Sequence, residues 1–96
     1  MLFDQSKEYT LKEFVSEIGF DWNITGTEPN EEYVFDNLME ESEEQGNFYV
    51  LDISNVSECA NFAIWKKFDY QKGKKFRTEI WYVESESDIQ DIIKYY

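Results

Sequence analysis

The sequence predicts an α+β fold: one domain over residues 1–96, a three-stranded antiparallel sheet with helices against one face, in the order α-α-β-β-β-α. Three observations predict it. A chain of 96 residues suits one domain with a modest core. Apolar residues recur at helical spacing in the first half and again at the end. Between them, aromatic and β-branched residues crowd into short runs separated by turn residues.

The first helix begins at Thr10. Thr10-Leu11-Lys12-Glu13 is a capping box, with Glu13 placed to reach back to the Thr10 backbone. Leu11, Phe14, Val15 and Ile18 follow at i, i+3, i+4, i+7, and Gly19 stands where a C-terminal glycine cap belongs. Residues 20–29 read as a loop punctuated by Gly26 and Pro29. The second helix is expected to start near Thr27–Asn30, with Pro29 in its first turn, and to run to Gln45 before Gly46. Val34, Phe35, Leu38 and Met39 form its apolar stripe.

Strands are expected at Asn47–Ile53, Asn61–Tyr70 and Lys75–Glu84, the last two joined by a Gln71-Lys72-Gly73-Lys74 turn with Gly73 left-handed. Both faces of this hairpin carry apolar residues: Phe62/Ile64/Phe68 alternate with Ala63/Trp65, and Phe76/Ile80/Tyr82 with Trp81/Val83. A sheet covered on one face would show polar alternation on the other. Either helices cover both faces, or one face meets a partner, a second copy of the chain included. Ser87 and Gln90 read as a second capping box, opening a terminal helix with Ile89, Ile92, Ile93 and Tyr96 on one side.

Composition narrows the chemistry. The 21 Asp+Glu against 9 Lys+Arg give a net charge of -12, which argues against direct binding to nucleic acid or an anionic membrane. Aromatics make up 19% of the chain, against disorder. There is no histidine, so the commonest general base and transition-metal ligand is missing, and Cys59 has no histidine to activate it. No phosphate loop of the Gly-x-Gly-x-x-Gly or Walker kind occurs. Asp52–Glu58 lacks the mid-loop glycine and ligand alternation of an EF-hand. The 21 acids make so many pairs that paired carboxylates point nowhere. No enzyme activity, cofactor or metal is expected. The start, Met1-Leu2-Phe3-Asp4-Gln5, has neither the basic nor the apolar region of a signal peptide, and no apolar run approaches the ~20 residues of a membrane span. With one cysteine, a reducing cytoplasm is expected, and Asn23-Ile24-Thr25 and Asn55-Val56-Ser57 are read as chance sequons. Eight lysines to one arginine and only two alanines hint at an AT-rich coding sequence, as in a low-GC bacterium or its phage.

The charge is segregated. Residues 1–58 carry -13, residues 59–83 carry +4, and residues 84–96 carry -3. The cations of the middle segment are Lys66, Lys67, Lys72, Lys74, Lys75 and Arg77. A lysine-rich turn guards a sheet edge against pairing more simply than it binds nucleic acid.

On the second helix, Glu32, Asp36, Glu40 and Glu44 fall at successive i, i+4 positions with nothing basic between them. Like charges at that spacing destabilise a helix by a few tenths of a kcal/mol per pair. The late acids Glu40, Glu41, Glu43 and Glu44 also oppose the helix dipole. A solvated face explains most acidic helices. Here Asp4, Glu8, Glu13, Glu17, Asp21 and Glu28 add to the row, which favours a functional surface over a bland one. Halophilic adaptation fits poorly with the lysine-rich hairpin and the many large aromatics. Successive carboxylates lie ~6 Å apart along the axis, of the same order as phosphates along a nucleic-acid strand.

The row, the charge, the small size and the missing catalytic signatures together resemble the small acidic anti-defence inhibitors of phages and mobile elements: anti-CRISPR proteins, anti-restriction proteins and other DNA mimics. The resemblance is of character over the whole chain and rests on no family motif. It implies a non-enzymatic inhibitor in a bacterial host's cytoplasm. Such a protein would occupy the DNA or RNA channel of a basic nuclease, contacting it through Glu32, Asp36, Glu40, Glu41, Glu43 and Glu44, with an exposed Trp or Tyr as anchor. On that reading, Glu40→Lys with Glu44→Lys abolishes inhibition without unfolding the chain. The basic hairpin departs from a wholly acidic mimic. Two other classes fit the composition: a bacterial immunity protein neutralising a toxin nuclease, and an adaptor or homodimer using an aromatic sheet face.

Overall fold

The computed structural model describes residues 2–20 and 30–96, residues 2–6 by their backbone. The elements in order are β1 (Leu2–Tyr9), α1 (Leu11–Glu17), α2 (Glu31–Glu41), β2 (Glu43–Gln45), β3 (Phe48–Asp52), β4 (Phe62–Lys66), β5 (Phe76–Val83) and α3 (Glu86–Tyr95). The five strands form one antiparallel sheet in the order β1-β5-β4-β3-β2. The fold is α+β as expected, but the three-stranded sheet and the α-α-β-β-β-α order are corrected: a strand precedes the first helix and a further strand follows the second.

Both missed strands have a physical cause. In β1 the register against β5 shifts between Asp4 and Lys7, so the alternation that marks a strand breaks in mid-segment. In β2, Glu43-Glu44-Gln45 is made of good helix formers, which extended the expected helix to Gln45. The helix ends instead at Ser42, whose backbone is extended (φ -89, ψ 152) and whose hydroxyl donates to the Leu38 carbonyl at 2.6 Å. Breaking the helix takes Glu43 and Glu44 off the negative end of its dipole, where they would be unfavourable. Pairing of Glu44 with Tyr49 and Gln45 with Phe48 then overrides local propensity. Gly46, expected to close the helix, turns the β2–β3 hairpin at φ +61.

The helix caps divide. The Thr10–Glu13 capping box is formed in both directions, and Gly19 follows α1 at φ +80. The second helix is capped by Asn30, whose side chain accepts from the Glu32 N–H at 2.8 Å. Thr27 and Pro29, and the loop over 21–29, lie outside the described residues. The expected Ser87–Gln90 box is not formed. Ser85 caps α3 by accepting from the Asp88 N–H, and Gln90 donates instead to the Gln45 side chain at 3.1 Å.

The two apolar faces of the hairpin strands are explained by helices on both sides, which corrects the expectation of one covered face. On one side, Leu11, Phe14, Val15 and Ile18 with Val34 and Leu38 pack against Leu51, Ala63, Trp65, Phe76 and Ile80. On the other, Ile89 and Ile92 of α3 pack against Phe48, Val50, Ile64, Trp81 and Val83. Trp65 is 0% and Trp81 2% exposed. The β4–β5 ladder runs as far as Trp65 opposite Ile80, and the strands end at Lys66 and begin at Phe76, shorter than the expected strands. Beyond it the chain leaves the sheet as an arm over residues 67–75. Phe68 stacks on Phe76 (3.8 Å between centroids) and Tyr70 on Phe35 of α2 (4.3 Å). Gly73 makes the left-handed turn at φ +76.

Candidate partner-binding surface

The outer face of α2 is built by its own burial pattern. Val34 and Leu38 are buried, which fixes the helix rotation and turns Glu32, Asp36 and Glu40 outward in one i, i+4 row. Glu41 is exposed beside them. Glu31 and Glu32 in the first turn sit well with the helix dipole. Glu44, expected as the fourth member of the row, stands instead with Glu43 on the edge strand β2. The six acids therefore lie on two adjoining elements rather than on one helical face.

The basic segment closes on the flanks of this surface. Lys67 is ion-paired with Glu44, and its ammonium lies 5.5 Å from the centre of the Tyr49 ring. Lys72 reaches to 3.9 Å from Glu32. Such exposed pairs contribute ~0–1 kcal/mol each. By contrast, Asp36, Glu40, Glu41 and Glu43 form no ion pair among the described residues. Lys74 and Lys75 remain exposed without closing on them. Elsewhere Lys66 pairs with Glu79 at 2.9 Å and Arg77 with Glu8 at 3.2 Å.

With Trp65 and Trp81 buried, neither serves as an exposed anchor. Tyr33 is 49% exposed on α2, next to Glu32 and one turn before Asp36 and Asn37. It was legible as a surface aromatic, since it falls off the Val34/Leu38 stripe. Tyr95 and Tyr96 stand exposed at the end of α3.

Cys59 is exposed, in a cleft lined among the described residues by Glu17, Ser57, Ala60 and Tyr82, none of them a cation. Asp52 accepts from the N–H and hydroxyl of Ser54, at 2.9 and 2.7 Å, which holds its carboxyl below the usual value. Among the described residues, no group of three or more Cys, Asp or Glu side chains is placed to hold a metal ion. Nor is any helix among them long and apolar enough to cross a membrane.

Comparison with known proteins returned nothing similar: no family model matches the chain, and no curated protein or solved structure does. The functional reading rests on the surface itself.

Proposed function

We propose that the chain is a non-enzymatic inhibitor that presents the acidic surface of α2 and β2 to the nucleic-acid channel of a basic nuclease, as an anti-CRISPR or anti-restriction protein would. One observation supports the reading above the others. Among the described residues, Asp36, Glu40, Glu41 and Glu43 stay exposed and form no ion pair, while Glu32 and Glu44 do. A structural role for these acids would be served by lysine pairs, and the arm carries lysines that are not used this way.

The mechanism is electrostatic. A net charge of -12 steers the molecule toward a cationic cleft and repels nucleic acid from the occupied site. The carboxylates of Asp36 and Glu40, one turn apart, take phosphate positions at ~6 Å pitch. Tyr33 supplies apolar anchorage beside them. The arm's lysines confine mimicry to this surface, in place of the whole molecule.

The test is phage plating. Bacteria carrying single CRISPR or restriction systems are made to express the chain and are challenged with a targeted phage. The reading expects plating to rise by orders of magnitude on at least one such host. Unchanged plating on every host of a broad panel overturns it.

A further inference from the structure

A cleft of about 410 Å³ opens between the edge strand β2 and the first turns of α3. Its floor is apolar: Val50, Phe62 and Ile89. Its rims are Glu43 from β2 and Glu86 from α3, with Gln45, Gln90 and Ser87 beside them. No cation lines it. The Gln90 amide donates to the Gln45 side chain at 3.1 Å and ties the two rims together at one end.

We infer that this cleft is the seat of one arginine side chain from the basic partner, which rests on the inhibitor reading above and gives it an anchoring point. The lining matches both ends of arginine. Its methylene stem needs an apolar bed, and Val50 and Ile89 provide one. Its guanidinium is planar and weakly hydrated, lies well on an aromatic face, and presents several donors at once. Phe62 is half-buried and lines the cleft together with the exposed Glu43 and Glu86, so a guanidinium seated there meets an aromatic ring and carboxylates from two elements. Lysine, a strongly hydrated point charge, fits this geometry less well. The first turn of α3 does not make the cleft an anion site. Ser85 accepts from the Asp88 N–H, and Glu86 and Asp88 answer the positive end of the dipole. The strand order adds the access. β2 is the sheet edge, and Glu43, paired with Val50, turns toward α3 while Glu44 turns toward Lys67 on the opposite face. The cleft thus continues the unpaired acids of α2 around the sheet edge.

The experiment is an NMR titration of the labelled full chain with N-acetyl-arginine amide, and with N-acetyl-citrulline amide as its uncharged isostere. Saturable shifts of the Val50 and Ile89 methyls with arginine alone are expected. The Glu43→Gln/Glu86→Gln variant, its fold checked by its amide spectrum, is expected to bind roughly tenfold or more weakly, as loss of charge-assisted hydrogen bonds requires. Absent shifts at those methyls, equal binding of citrulline, or unchanged affinity in the double variant each overturn the assignment. The titration needs no nuclease. The cleft can therefore fail while the phage-plating result stands, and plating can fail while the cleft binds arginine.

Discussion

The ring of Tyr70 lies stacked on that of Phe35, with centroids 4.3 Å apart and planes 18° from parallel. This contact joins the basic arm to the acidic helix. The Tyr70 hydroxyl is buried there with no hydrogen bond of good geometry. Burial first, then the approach of the Glu31 carboxylate and the charges of Glu32 and Asp36, raises its pKa above the usual 10.0.

Tyr70→Phe keeps the stack and removes the unsatisfied hydroxyl. It is expected to stabilise the fold by about 1 kcal/mol, read from the urea midpoint, whereas Tyr70→Ala loses roughly 2 kcal/mol. The pH dependence has a definite sign. Above pH 10.0 an unfolded tyrosine gives up its proton while folded Tyr70 keeps it. Native chains then bind more protons than unfolded ones, so stability falls as pH rises. Comparison of melting temperatures above pH 10 should show a shallower loss in Tyr70→Phe than in the parent chain.

Gly19 and Gly73 both hold positive φ, at +80 and +76, yet their surroundings differ. A Cβ at Gly19 would lie 2.9 Å from Val56 Cγ2, while at Gly73 it meets nothing within 4 Å. Gly73→Ala is expected to cost about 1 kcal/mol from backbone strain alone. Gly19→Ala should cost visibly more, and Val56→Ala in the same chain should recover the difference. Equal denaturation midpoints for the two single variants would contradict this.

The first helix depends on its cap. Thr10→Ala removes the acceptor of the Glu13 N–H and is expected to cost about 1 kcal/mol. The Glu13 carboxylate accepts from the Thr10 N–H at 2.9 Å, and that backbone bond, more than the distant Lys75 and Lys7, lowers its pKa. Its contribution is therefore full above the usual carboxylate value and is lost as pH falls through the lowered one. Glu13→Gln should make the thermal melt less sensitive to pH in the acid range.

Among the described residues, helix α3 covers the second face of the sheet. Ile92 is fully buried there, and Trp81 is 2% exposed beneath the helix. Ile92→Ala is expected to cost 2–5 kcal/mol, read from the urea midpoint. Tyr96, 5.3 Å from Trp81, caps the same contact, so loosening of α3 should be visible as a red shift of tryptophan emission.

Much of this was legible in the residues. The Thr10 cap, the two apolar helix stripes and the left-handed Gly73 are local signals found in place, and the aromatic strands are present but shorter than expected. What escaped were features decided by tertiary contact. The bulge in β1 hides its alternation, and Glu43-Glu44-Gln45 becomes a strand only because β3 lies beside it. Two-sided apolar alternation in the hairpin left open helices on both faces or a partner on one, and tertiary packing, with helices on both, decides it. Of the site, the Glu32/Asp36/Glu40 row was readable from helical spacing. The pairing of Glu32 with Lys72 and of Glu44 with Lys67 was not, since sequence separation conceals it.

The most direct test of the acidic-surface account is nucleic-acid binding by an inhibited nuclease, measured with the parent chain and with Asp36→Lys/Glu40→Lys. These two acids are chosen because they share one turn of α2 and carry no ion pair among the described residues, whereas Glu44 sits on β2 and is held by Lys67. Both are exposed, so circular dichroism should be unchanged. The account predicts that the parent chain displaces nucleic acid, more weakly as salt rises, and that the charge-reversed chain no longer does. Full displacement by a folded Asp36→Lys/Glu40→Lys chain would contradict it.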